Sequence, residues 1–245
     1  MNAIEMRDLT YRYGDHTVVD GLTLDIQAGE LFALLGVNGA GKTTAIRMLC
    51  GVLCPCGGDA IMLGHSVVHD AEAVRRISNV SPQESAVAPR LSVYENLIFA
   101  AGIYGMDAGT AAERAERMIE AFEMGDVRKK RAGTLSGGWM RRLSIAMALI
   151  PDPQVLFLDE PTLGLDVLAR RELWRVVKGL HGRVTILLTT HYMEEAEALS
   201  DRIGVMQNGR LRAIGTAAEL KARTGMDSLE AAFVALAAPE GGEIK

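Results

Sequence analysis

The stretch Leu31-Phe32-Ala33-Leu34-Leu35-Gly36-Val37-Asn38-Gly39-Ala40-Gly41-Lys42-Thr43 decides the fold. Five consecutive apolar residues, Leu31 to Leu35, read as a strand buried on both faces. Gly36 to Thr43 then fits the pattern G-x-x-x-x-G-K-[ST]. The run Thr44 to Leu49 is compatible with a helix. Glycines let successive backbone N–H groups turn inward and form a concave anion site, and the helix N-terminus adds partial positive charge. Lys42 can reach the β- and γ-phosphates of a nucleotide held there, and the Thr43 hydroxyl can ligate Mg²⁺.

Working outward, Val155-Leu156-Phe157-Leu158-Asp159-Glu160 is a second buried strand, and it ends in two acids. At the carboxyl end of a parallel strand, such acids face the ligand edge of the sheet. Asp159 is placed to hold Mg²⁺, directly or through water. Glu160 is placed to accept a proton from an attacking water. Ile186–Leu188 and, more weakly, Ile203–Met206 read as further buried strands. The first 30 or so residues differ. Tyr11 to Asp15 is turn-like, and Val18 to Ile26 partly alternates, which predicts antiparallel strands at a sheet edge.

The middle third, about 89–151, reads as mostly helical. Ser92 and Glu95 form a capping box. Ala111 to Met124 is rich in helix formers. Leu135-Ser136-Gly137-Gly138 precedes a helix whose Met140, Leu143, Met147 and Ile150 make one apolar face, with Arg141 and Arg142 off that face. A Ser-Gly-Gly turn at a helix N-terminus is a second anion site built on the same physics.

The composition of the 245 residues, 49% hydrophobic and 23% charged, is that of a folded globular protein. A net charge of −5 argues against a dedicated duplex binder, which needs many cations against phosphate. Cys50, Cys54 and Cys56 lack paired CxxC spacing and read as free thiols. No basic-then-apolar leader and no apolar run of ~18 residues is visible, so the chain is expected to be cytosolic, with any membrane part on another chain.

In this order and over about residues 4–220, these elements resemble the nucleotide-binding subunit of an ATP-binding cassette (ABC) transporter. The resemblance implies an α/β fold. It has a P-loop NTPase (RecA-like) core with an N-terminal antiparallel β subdomain, the core and its antiparallel β edge spanning 1–88 and 152–220. A helical subdomain is inserted at about 89–151, and a C-terminal helix and frayed tail follow at 221–245. Gly36, Asn38, Gly39, Ala40, Gly41, Lys42, Thr43 and Thr44 look like Walker A. Ser136, Gly137 and Gly138 look like the signature motif, and Asp159 and Glu160 end a Walker B strand. Gln83 matches the Q-loop glutamine at Mg²⁺, Asp166 the D-loop, and His191 the H-loop histidine at the γ-phosphate. Tyr13 sits where the family places an aromatic under the adenine, and Tyr11 could take its place.

The implied ligands are ATP and Mg²⁺, and the implied catalytic set is Glu160, His191, Lys42 and Gln83. The implied partners are a separate multispanning membrane permease and a second, identical ATPase subunit meeting head to tail, with no nucleic acid. The implied location is the cytoplasmic face of the cell membrane. Thr189 to Glu197, followed by Asp201-Arg202-Ile203, is similar to ATPases of the ABC-2 export group, as is Asp227 to Phe233. Trp139, Val37 and Val167 depart from the usual family residues, and none of them removes a catalytic group. A soluble ABC ATPase of the Fe–S assembly type shares the same motifs. A chromosome-maintenance or translation ATPase would carry a coiled coil or two cassettes. A P-loop GTPase or small-molecule kinase would leave the Ser-Gly-Gly helix start unexplained, and the guanine-reading Asn-Lys-x-Asp is absent.

Overall fold

The computed structural model describes residues 1–237. The tail 238–245, expected to be frayed, lies outside the described residues.

An antiparallel hairpin opens the chain: β1 (Asn2–Tyr13) and β2 (His16–Gln27). Then come β3 (Leu31–Leu35), α1 (Lys42–Leu49), β4 (Gly57–Met62), β5 (His65–Ser66), α2 (Ala71–Ile77) and β6 (Ser78–Ser81). The helical stretch holds α3 (Val93–Ile103), α4 (Ala108–Ala121) and α5 (Gly137–Leu149). The chain returns through β7 (Val155–Asp159), α6 (Val167–Lys178), β8 (Thr185–Thr190), α7 (Met193–Leu199), β9 (Arg202–Gln207) and β10 (Arg210–Gly215). It ends in α8 (Ala217–Thr224) and α9 (Leu229–Ala237).

The central sheet has the order β10-β9-β3-β8-β7-β6 and is parallel except for β10. Its strands are continuous apolar runs because both faces are covered. Leu31, Ala33 and Leu35 face the core under the helices, while Phe32 and Leu34 face the core shared with α1 and the antiparallel strands. Phe32 and Phe157 are fully buried, each contributing about 1.5–3 kcal/mol of burial.

Several expectations need correction. The N-terminal antiparallel strands do not edge the central sheet. They form a sheet of their own, β2-β1-β4-β5, and the antiparallel edge of the central sheet is β10. The turn within Tyr11 to Asp15 is only Gly14-Asp15, because Tyr13 pairs with His16 and both tyrosines lie in β1. The helix expected at Ala111 to Met124 begins earlier, at Ala108. There Asp107 caps it by accepting from the Gly109 and Thr110 N–H groups. The capping box at Ser92 and Glu95 is present.

Arg141 and Arg142, off the apolar face of α5, are both buried. Helix α5 is wedged between α3, α4, α6 and the β6–β7 edge, so its polar side is covered too. Burial is tolerable because each guanidinium finds acceptors. Arg142 donates to Glu172 at 2.8 Å and lies over the Trp139 ring at 4.6 Å. That contact also gives Trp139 a structural place, half-buried against the helical core.

Candidate functional site

The site is assembled by strand adjacency. β3, β8 and β7 are neighbours, with Leu35 opposite Thr190 and Asp159 opposite Thr189. Their carboxyl ends therefore deliver the glycine loop, His191 and the two acids side by side. β6 adds the Gln83 loop on the far side of β7. A cavity of about 290 Å³ results, lined by Asn38, Gly39, Ala40, Gly41, Lys42, Thr43, Thr44, Gln83, Glu160 and His191, with Val18 and Leu163 completing the wall.

The glycine loop needs its glycines. Gly39 and Gly41 have φ of 81° and 102°, and a Cβ on Gly41 would stand 2.6 Å from Val18 O. The left-handed backbone at Gly39 and Gly41 is the kind that lets a loop form a concave anion site, and both glycines line the cavity.

Lys42 is buried and all its donors are used. Its Nζ donates to Gly36 O at 2.7 Å and Val37 O at 3.2 Å, and lies 3.1 Å from Glu160 Oε1. The other oxygen of Glu160 is 2.7 Å from His191 Nδ1. Glu160 has φ of 47°, a conformation costing about 1–3 kcal/mol in a non-glycine residue. Its N–H is held by both Thr189 O and Thr189 Oγ1 at 3.1 Å. The strain turns the carboxylate out of line with β7 and toward Lys42 and His191.

Asp159 accepts from Thr43 Oγ1 at 3.0 Å and from Thr189 Oγ1 at 2.6 Å. Thr43, Asp159 and Gln83 also border a second cavity of about 440 Å³. Their donor set is all oxygen, which fits a hard divalent cation such as Mg²⁺. Cys50 lines the back of that cavity. Burial, with Asp159 adding to it, pushes its thiol up to about 12. Cys50, Cys54 and Cys56 are free thiols.

The other predicted residues lie elsewhere. Ser136 precedes α5 as its N-cap residue, with Gly137 and Gly138 in its first turn, and none of the three lines the 290 Å³ cavity. Asp166 caps α6 by accepting from Ala169 N–H at 2.9 Å. Tyr13 is exposed at the end of β1, edge-on to Tyr11 with ring centroids 4.9 Å apart. Val37 and Val167, where the family favours proline, are both exposed.

Sequence reasoning missed Arg141. Its guanidinium donates to Asp159 O at 2.7 Å, Pro161 O at 2.9 Å and Pro82 O, and reaches Gln83 O at 3.5 Å. One α5 side chain thus ties the acid-bearing turn to the Gln83 loop. Burial lowers its affinity for its proton to about 10, against the opposing charge of Asp159. Thr189 was also unassigned, although Thr189-Thr190-His191 was in view. It holds Asp159 and Glu160 together through one hydroxyl.

A phosphate-cradling loop after the first core strand, paired acids after a neighbouring strand and a histidine after the strand between them define a nucleoside triphosphatase. The chain belongs to the ABC transporter family, as an ATP-binding subunit that hydrolyses ATP. A sequence model described as ABC transporter matches residues 19–163. The chain is 43% identical to the daunorubicin/doxorubicin resistance ATP-binding protein DrrA of Streptomyces peucetius, over 93% of this chain and 69% of that one. It is 42% identical to the Nod factor export ATP-binding protein I of Cupriavidus metallidurans, over 93% of this chain and 76% of that one. Among solved structures, an ATP-binding subunit of an ABC transporter superposes with a TM-score of 0.83 at 29% identity, covering 96% of this chain and 99% of that one. Among the described residues, no helix is long and apolar enough to cross a membrane.

Proposed function

We propose that this subunit powers an export transporter of the ABC-2 kind from the cytoplasmic face of the membrane, through a separate multispanning permease. Relatives named for drug resistance and for Nod factor export support the direction. The observation that carries the catalytic part is the line Lys42–Glu160–His191, with distances of 3.1 and 2.7 Å.

In this reading Gly36 to Thr44 bind the phosphates through backbone N–H groups and Lys42. Tyr13 stacks on the adenine. Glu160 takes the proton of the attacking water. Lys42 and His191 stabilise charge that develops on the transferred phosphoryl group. Thr43, Asp159 and Gln83 would hold Mg²⁺, which would supply positive charge against the phosphates. Ser136, Gly137, Gly138 and Asp166 stand outside the cavity of their own chain. They therefore serve the nucleotide of a second, identical copy packed head to tail. Loss of the γ-phosphate opens the pair, and the Gln83 loop and helical lobe carry the motion to the permease.

The test is a pull-down of the tagged chain, with Glu160→Gln alongside, from detergent-solubilised membranes of its native host. An integral membrane protein of several spans is expected to co-purify. Recovery of soluble proteins alone, with ATP still trapped by Glu160→Gln, would sink the export reading.

A further inference from the structure

Helix α6 and the start of α7 are joined at two points that the reaction outlined above does not use. Arg170 and Trp174 are four residues apart on α6, so they share a face. The Arg170 guanidinium lies over the Tyr192 ring, 4.3 Å from its centroid. Tyr192 in turn packs on His191, ring centroids 4.0 Å apart and planes tilted by 40°. One turn further, Trp174 Nε1 donates to Glu195 Oε1 at 3.1 Å. Glu195 is fully buried, and no basic side chain is bonded to it among the described residues.

Such a buried acid is costly, and an apolar side chain would pack here at less expense. Its directional bond to the indole supplies what dispersion does not: a fixed rotation of α7 about α6. The hydroxyls of Thr162 and Thr190 face the same carboxyl. Thr162 belongs to the turn just after Glu160, and Thr190 directly precedes His191. The second oxygen of Glu195 and Thr162 Oγ1 are both buried without a bonded partner among the described residues. Glu195 thus sits where the acid turn, the histidine loop and α6 meet.

We propose that Tyr192 and Glu195 are positioning residues: with Arg170 and Trp174 they clamp the His191 ring against Glu160, and so tie ring orientation to the seating of α6. This rests on the roles proposed for Glu160 and His191. Asp166 opens α6, so a partner subunit that engages the 162–166 turn would move the clamp and the ring together.

The experiment measures kcat, KM for MgATP and Tm on the full chain. The variants are Tyr192→Leu, Tyr192→Phe, Trp174→Phe, Glu195→Leu and Glu195→Gln, with Glu160→Gln and His191→Ala as references. Trp174→Phe keeps an aromatic ring on α6 but loses the N–H and part of the indole's volume, so its Tm separates a packing loss from a positioning loss. Misplacing a catalytic ring by a fraction of an ångström costs about tenfold in rate. Tyr192→Leu, Trp174→Phe and Glu195→Leu are expected to lower kcat about tenfold, with KM within about twofold of wild type. Tyr192→Phe keeps the ring and Glu195→Gln keeps the acceptor, so both retain kcat within about twofold. Wild-type kcat in Trp174→Phe and Tyr192→Leu would overturn the clamp, as would losses in the conservative variants equal to those in the severe ones. If Glu160→Gln and His191→Ala themselves turn over normally, the catalytic assignment fails instead.

Discussion

Lys42 Nζ lies 3.1 Å from Glu160 Oε1, and both side chains are buried. Each charge depends on the other for its solvation. Removing one partner of a buried pair strands the other and costs about 3–5 kcal/mol, whereas removing both costs far less. Lys42→Met should therefore lower unfolding free energy by about 3 kcal/mol. Lys42→Met combined with Glu160→Gln should recover most of that loss. Urea denaturation of the two variants checks this, and equal destabilisation in both would show that the pair is not coupled.

Glu195 gives a pH prediction of definite sign. Burial raises its affinity for its proton above the ordinary value of 4.5, outweighing the Trp174 hydrogen bond and the facing Thr190 and Thr162 hydroxyls that oppose it. Above that ordinary value the unfolded chain releases the proton and the native chain keeps it. Glu195 therefore costs stability as pH rises from about 4.5 toward its native value. Glu195→Gln removes this cost. Its Tm should exceed wild type at pH 7, and the difference should shrink as pH falls toward 4.5. A constant Tm difference across that range would contradict the argument.

Arg141 binds four backbone carbonyls from one buried guanidinium. Lysine offers a point charge and no planar fork. Arg141→Lys should leave at least one carbonyl unpaired, costing about 1–3 kcal/mol in stability. It should also lower turnover, because the Gln83 loop and the Asp159–Pro161 turn lose their common tie. Phosphate-release assays and thermal melts report the two effects separately.

Gly41 combines a left-handed backbone with a collision. Its φ is 102°, and a Cβ would come within 2.6 Å of Val18 O. Gly41→Ala should destabilise by at least about 1–3 kcal/mol and weaken ATP binding, as strain and collision act together. Gly39 has positive φ but open space around it, so Gly39→Ala should cost less stability. Calorimetric titration with ATP and thermal melts of both variants rank them.

Much of this arrangement was legible because burial on both faces leaves an unbroken apolar run. Leu31–Leu35 and Val155–Leu158 carry that run, and the chemistry sits at their ends. β6 was not legible: Ser78–Ser81 holds one apolar residue because it is the sheet's edge. β4 opens on Gly57 and Gly58, which carry no strand pattern. The burial of Arg141 and Arg142 was not legible, because their partners are mostly backbone carbonyls and a distant acid, and no side-chain spacing reveals those. The stacking of Arg170 on Tyr192 joins residues more than twenty apart and exists only in the packed structure.

The most direct test follows inorganic phosphate release by the full chain with MgATP, wild type against Glu160→Gln, with bound nucleotide measured in parallel. General-base removal costs about 10²–10⁴-fold in rate. The account predicts a fall of that size, with ATP retained and the subunits trapped as a dimer. Release at the wild-type rate from Glu160→Gln would contradict it.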